Sequence, residues 1–152
     1  MATTVNLIRN VLTGQYLTHN GSSVAVHHLK NHPNNFHLYD DGPLRRLQVF
    51  SDSNKKISHV PAGGCSQSLT TNPSGSMVHV TPNSSVGVKL FVKDDSENRY
   101  YLRVNIAQSS NVELVCQTYV DNAQHNPFLR QELEFDLVTV DIRDLLTQST
   151  TL

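Results

Sequence analysis

Histidine is the residue type whose number and spacing in this sequence first suggest chemistry. The chain has eight histidines in 152 residues, and His27, His28, His32 and His37 lie close together. Neutral imidazole is a common metal ligand, but successive side chains of a strand point to opposite faces, so His27 and His28 cannot easily share one ion. We therefore expect no metal site and no cofactor.

Two aspartate doublets, Asp40-Asp41 and Asp94-Asp95, are the next candidates for chemistry. Each doublet follows a candidate strand at the same point of a repeated pattern, which is a position where aspartate commonly forms turns. The sequence contains none of the short motifs of serine hydrolases, zinc proteases, nucleotide-binding loops or dinucleotide-binding folds. We therefore expect a protein that is not an enzyme and has no catalytic residues.

The charge of the chain limits the classes of partner. The formal net charge is −1, which leaves no surplus of lysine and arginine to neutralise phosphates or anionic lipids. We expect neither a nucleic acid nor a membrane as partner. The first residues lack the basic and apolar regions of a secretory signal, so the sequence predicts a cytoplasmic location.

The two cysteines, Cys65 and Cys116, lie far apart and form no C-x-x-C pair. This spacing favours two reduced thiols, although it does not exclude a disulfide between them.

Short segments of alternating apolar and polar residues, separated by predicted turns such as residues 121–127, indicate an all-β domain. Three strand–turn–strand units follow one another, and Leu7, Leu47 and Leu102 occupy matching positions in them. We predict a single domain over residues 1–152, with repeats at about 4–43, 44–97 and 98–141 and a loosely packed tail at 142–152. The middle unit is the longest, so residues 61–76 are expected to be an inserted loop.

One such unit cannot bury its apolar face, because an isolated hairpin is marginally stable in water. Three units, each of four strands, can close a six-stranded barrel capped by three hairpins, with Leu7, Leu47 and Leu102 in equivalent core positions. The expected core contains Leu7, Leu17, Phe36, Leu38, Leu47, Ile57, Leu90, Leu102, Leu114, Phe135 and Leu137. A β-sandwich without internal symmetry is the alternative.

The three repeats open with patterns such as Leu-Ile-Arg-Asn-Val and resemble the β-trefoil superfamily. The resemblance covers nearly the whole chain, up to about Asp141. Within it, ricin-B-like lectins carry a Gln-x-Trp signature in each repeat, and an aromatic ring commonly stacks on the sugar. This chain has no tryptophan. At the equivalent places stand Asn34-Asn35-Phe36, Val88-Lys89-Leu90 and Leu133-Glu134-Phe135.

The sequence is also similar to the fungal cytosolic protease inhibitors called mycocypins, which need neither tryptophan nor disulfides. That resemblance implies inhibition by rigid loops. The loop matched to a papain-like cleft contains Leu12, Thr13, Gly14 and Gln15, and beside it lies either the turn with Asn20 and Gly21 or the loop with His32, Pro33 and Asn34. A hairpin tip with Ser53, Asn54, Lys55 and Lys56 is matched to a second protease class.

The function predicted first is therefore protease inhibition through surface loops, with a papain-like cysteine protease as partner. A lectin without the Gln-x-Trp signature, with a glycan as partner, is the alternative. An inert partner subunit of an enzyme is the third hypothesis. One fold hosts many functions, so the sequence leaves all of them open.

Overall fold

The structure is a computed structural model that describes residues 3–82 and 86–148. Its strands are β1 (Thr4–Asn10), β2 (Tyr16–His19), β3 (Val24–His27), β4 (Phe36–Asp41), β5 (Leu44–Val49), β6 (Asp52–Val60), β7 (Ser66–Asn72), β8 (His79–Val80), β9 (Leu90–Lys93), β10 (Arg99–Asn105), β11 (Asn111–Cys116) and β12 (Phe135–Asp141). Its helices are α1 (Gln117–Ala123), α2 (Pro127–Gln131), α3 (Ile142–Gln148) and one 3-10 turn at Ile106–Gln108. None of these helices is long and apolar enough to cross a membrane.

The strands form one curled antiparallel sheet whose first and last strands meet. β12 pairs with β1 along its whole length, from Thr4 opposite Asp141 to Asn10 opposite Phe135. β4 connects β1 to β5, and the Val78 amide donates to the Arg45 carbonyl at 2.9 Å beyond β5. A bridge between Val88 and Phe135 completes the ring. The hairpins β2–β3, β6–β7 and β10–β11 stand outside this ring.

Apolar side chains from all parts of the ring fill its interior. Except for Leu7, every residue of the expected core is buried in this cluster or packs against it. Leu7 is fully buried, but on the other face of β1, with Tyr16, Val140 and Leu145. Ile8 occupies the barrel interior instead, and Leu102 lies on the hairpin strand β10, whereas Leu47 lies on the ring strand β5. The predicted equivalence of Leu7, Leu47 and Leu102 is therefore wrong. In a strand, a shift of one residue exchanges the two faces.

The three repeats contain four strands each. Grouped by the hairpins that stand outside the ring, the described strands are β1–β4, β5–β8 and β9–β12, so β9 belongs with the third repeat although it precedes residue 98. In this repeat α1 and α2 lie between β11 and β12. Residues 121–127 were expected to be a turn. Asn126 instead caps α2, its side chain accepting from the Phe128 and Leu129 amides at 3.0 and 3.3 Å, and proline takes the first helical position.

The segment after β12 is not a loose tail as far as the structure describes it. Residues 142–148 form α3, and Leu145 is fully buried against Leu7, Tyr16 and Val140. The removable tail predicted at 142–152 is therefore wrong for this part, and residues 149–152 lie outside the described range. The outward face of β1 positions Leu7 under α3, which explains the burial of both leucines.

The two cysteines form a disulfide, which corrects the expectation of reduced thiols. Cys65 and Cys116 are bonded, with their Cα atoms 4.8 Å apart. The Cys116 amide also donates to the Cys65 carbonyl at 3.0 Å. The bond therefore fastens the start of β7 to the end of β11, across two repeats.

A buried ionic network holds the third repeat together. Arg103 donates to Glu113 at 3.1 Å and to Glu132 at 2.8 Å, and all three residues are at most 9% exposed. Glu132 also accepts from the Ile106 amide at 2.8 Å, and the Arg103 guanidinium lies 4.6 Å from the Tyr119 ring centre. Charge-assisted bonds on both sides of the guanidinium compensate for its removal from water.

Candidate functional site

A surface cavity lined by polar and aromatic side chains lies between the β2–β3 hairpin and the loop of residues 28–35. Its volume is about 330 Å³. Its lining residues are Thr18, His19, Asn20, Ala25, Val26, His27, His32 and Asn34. We call this cavity the first-repeat pocket. Three of the eight histidines of the chain lie in it.

The loop at residues 28–35 is held by one buried side chain. Asn35 is fully buried, and its amide nitrogen donates to the carbonyls of Leu29 and Lys30 at 2.9 and 2.7 Å. Its Oδ1 lies 2.6 Å from His27 Nε2. Since the amide nitrogen is used by the two carbonyls, Oδ1 is the acceptor and His27 carries its proton on Nε2. This set of bonds fixes both the loop and the plane of the His27 ring.

The other two histidines are held by their own backbone neighbours. His19 Nδ1 accepts from the Gly21 amide at 3.2 Å, and His32 Nδ1 accepts from the Asn34 amide at 3.0 Å. Each ring therefore carries its proton on Nε2. Burial lowers the pKa of both imidazoles, and the positive charge of Lys55 lowers the pKa of His19 further. Both are neutral at physiological pH.

Two features give the pocket a mixed polar and aromatic wall. The rings of His27 and His32 meet edge to face, with centres 5.3 Å apart. Asn34 accepts from the Ser51 hydroxyl at 3.2 Å, which connects the pocket to the turn after β5. The wall can thus exchange hydrogen bonds with a ligand and also contact a flat apolar face.

Part of the predicted inhibitory set lies at this pocket. Asn20, His32 and Asn34 line it, and Gly21 is fixed to His19. Pro33 accepts from the Ser51 amide at 2.9 Å, so the loop is attached to the β5–β6 turn.

The turn before β2 is separate from the pocket. Leu12, Thr13, Gly14 and Gln15 do not line it. The Thr13 amide donates to the Asn10 side chain at 3.1 Å, and the Gly14 amide to the Asn10 carbonyl at 2.8 Å. Gly14 has φ +69°, in the left-handed region, so a larger side chain there would strain this turn.

The second predicted group begins a strand instead of forming a hairpin tip. Ser53, Asn54, Lys55 and Lys56 belong to β6, and the register between β5 and β6 shifts there. Lys56 Nζ donates to the carbonyls of Ser53 and Pro73 at 2.6 and 2.9 Å, so this ammonium group is already engaged.

The residues that sequence reasoning missed are His19, His27 and Thr18. The clustering of histidines was visible, but it was tested only as a metal site. Within residues 3–82 and 86–148, no three side chains of histidine, cysteine, aspartate or glutamate are grouped so that they could hold a metal ion. The relevant signal was a set of histidines at strand ends beside a polar loop.

Two solved structures are similar to this chain over most of their length. The crystal structure of the Rhizoctonia solani agglutinin has TM-score 0.62 and 13% identity, covering 91% of this chain and 95% of that one. The Macrolepiota procera ricin B-like lectin, solved in complex with lactose, has TM-score 0.63 and 11% identity, covering 90% and 96%. The predicted β-trefoil fold is confirmed. At these identities the likeness establishes the fold alone.

No protein-family profile matches the sequence. No curated protein matches it either.

Proposed function

We propose that this protein is a carbohydrate-binding protein and that the first-repeat pocket holds a neutral sugar. The observation that carries the proposal is the pocket itself, where three imidazoles, each with one nitrogen fixed by the fold, line a single surface cavity. The names of the two similar structures, an agglutinin and a lectin in complex with lactose, support it as analogy.

The chemistry of the wall matches a polyhydroxylated ligand. His19 and His32 each carry an Nε2 proton that the fold does not use within the described ranges, and His27 uses only its Nε2 for the bond to Asn35. Asn20 and Asn34 add further polar side chains. Sugar hydroxyls both donate and accept, so they can satisfy this set.

The charge and shape of the pocket favour a neutral ligand of modest affinity. The lining residues found in the described part of the chain include no lysine, arginine, aspartate or glutamate. The edge-to-face rings of His27 and His32, with Ala25 and Val26 beside them, offer an apolar surface to the C–H face of a sugar ring. Imidazole is smaller than indole, so we expect a Kd of about 1 mM for a monosaccharide, equivalent to about −4 kcal/mol.

A glycan array identifies the sugar, and an NMR titration of the ¹⁵N-labelled protein with the sugar found measures its affinity. His27→Ala should weaken binding at least tenfold, because it removes a ring of the wall and the bond to Asn35. His28→Ala is the matched control, since His28 is exposed and does not line the pocket. Unchanged affinity in His27→Ala, with native stability, would exclude the pocket.

Protease inhibition stays a prediction and is measured in the same samples. A panel of papain-like, legumain-like, serine and aspartic proteases is assayed with the wild-type protein. Inhibition of a papain-like protease without binding to any glycan would overturn the proposed function. The absence of enzymatic activity and the role as a partner subunit also stay predictions.

A further inference from the structure

A second recess lies where the three hairpins of the trefoil meet. Its volume is about 230 Å³. Ser23 comes from the turn before β3, Ser66 and Ser68 from β7, and Asn111 from β11. One predicted repeat therefore contributes to each side of this recess, which we call the cap recess. None of its lining residues lines the first-repeat pocket.

The rim of the cap recess is formed by polar side chains that are available to a ligand. The side chains of Ser23, Ser66, Ser68 and Asn111 make no hydrogen bond to any residue between 3 and 82 or 86 and 148. Below them, Val112 is buried in the barrel core, and Val24 and Leu69 pack against the same core. A ring with hydroxyls at its edge and C–H groups on its face would meet a matching surface there.

A nearly buried carboxylate completes the lining. Glu113 is 9% exposed, and one of its oxygens, Oε2, pairs with Arg103 at 3.1 Å. Arg103 is also shared with Glu132, so the buried group of three has a net charge of −1 from one guanidinium and two carboxylates. The second oxygen of Glu113 has no hydrogen-bond partner among the described residues, and no lysine or arginine lines the recess.

A carboxylate in low-dielectric surroundings attracts a cation more strongly than one in water does. The geometry points to a second binding site in the cap recess, for a small protonated amine that also carries hydroxyl groups, such as a 2-amino sugar. The ammonium group contacts Glu113, the hydroxyls contact the serines and Asn111, and the ring lies on Val24, Leu69 and Val112. The recess is smaller than most ligand pockets, which span about 300–1,000 Å³, so it accepts a single ring.

An NMR titration of the ¹⁵N-labelled protein with glucosamine at pH 6.5 tests the site, with glucose and N-acetylglucosamine as neutral controls. We expect saturable shifts in β7 and β11 with glucosamine, and binding of both neutral sugars at least tenfold weaker there. No shifts at about 20 mM glucosamine, where even a Kd of about 10 mM would be visible, would overturn the proposal. Equal binding of the three sugars at the recess would also overturn it.

Three variants locate the ligand. Ser68→Leu fills the rim and should abolish binding. Thr70→Leu is the matched control, because Thr70 is two residues further along the same face of β7 but outside the recess, and it should leave binding unchanged. Glu113→Gln keeps a hydrogen-bond acceptor for Arg103, removes the charge, and should weaken glucosamine binding at least tenfold.

Each further outcome decides the question. If Glu113→Gln does not fold, the Ser68→Leu variant and the two neutral sugars still test the site. Binding that survives Ser68→Leu in a folded protein would place the ligand elsewhere and overturn the proposal. His27→Ala should leave glucosamine binding at the cap recess unchanged, so the two sites can fail independently.

Discussion

The disulfide allows a prediction whose magnitude follows from the chain separation. Cys65 and Cys116 are 51 residues apart. In the chain-entropy description, closing a loop of that length lowers the entropy of the unfolded state by about 14 cal/mol/K, or about 4 kcal/mol at 25 °C. The double variant Cys65→Ala/Cys116→Ala should lose up to this amount of unfolding free energy. For 152 residues, this corresponds to a decrease in Tm of about 12 °C.

Equilibrium unfolding in urea measures the loss, comparing the double variant with the oxidised wild-type protein. The Cys116 amide loses its 3.2 Å contact with Cys65 Sγ but keeps the Cys65 carbonyl at 3.0 Å, so the native backbone link remains. Each single variant should lose about as much as the double variant, because either change removes the bond. A loss below about 1 kcal/mol in the double variant would refute the entropic reasoning for this loop.

The compartment of the protein determines whether this contribution is present. Disulfides persist in oxidising surroundings and are rare in the reducing cytosol. The cytoplasmic location that the sequence predicts stays a prediction. In a reducing compartment the protein would have the stability of the double variant.

Three further predictions concern stability. Burial lowers the pKa of His37 to about 4. The contribution of this histidine to the free energy of unfolding is therefore full above the unfolded-state pKa of about 6.5, and it is lost as the pH falls to 4. Urea unfolding should show that His37→Phe removes about 3 kcal/mol of the pH dependence between pH 7 and 4, and an unchanged pH profile would contradict this. Leu145→Ala should lower the free energy of unfolding by about 2–5 kcal/mol in the same assay. The control Leu146→Ala, at a 56% exposed position, should lower it by less than about 0.5 kcal/mol. Equal losses would show that α3 is not docked. Arg103→Met should cost about 3–5 kcal/mol, since two carboxylates lose their buried partner, and a neutral result would mean that the network is dispensable.

Much of the fold could be predicted because its signals are local. Polar turns separate short alternating segments, and this spacing was enough to predict the β-trefoil fold and nearly all of the barrel core. Leu7 and Ile8 are adjacent and both apolar, so alternation could not decide which of them faces the barrel. The helix α2 had its own signal in Asn126-Pro127, a capping residue followed by proline, which the sequence interpretation assigned to a turn.

The candidate site was harder to predict because it depends on contacts between distant residues. His19 and His27 lie on different strands of the β2–β3 hairpin and line one cavity, and the ring of His27 is set by Asn35, eight positions further on. The disulfide likewise depends on the proximity of two repeats, which no cysteine spacing reveals. Turns can be predicted from local sequence, but cavities that form between distant elements cannot.

The pairing of the first strand with the last affects how the chain can be made. While a ribosome is still adding residues, β1 has emerged but its full-length partner β12 has not been synthesised. Thr4 pairs with Asp141, so the ring can close only after residue 141 has left the ribosome. Contacts this distant make folding slow and leave an unpaired strand edge exposed in the meantime. Nascent chains stalled before β12 should therefore bind chaperones or aggregate, while the completed chain does neither.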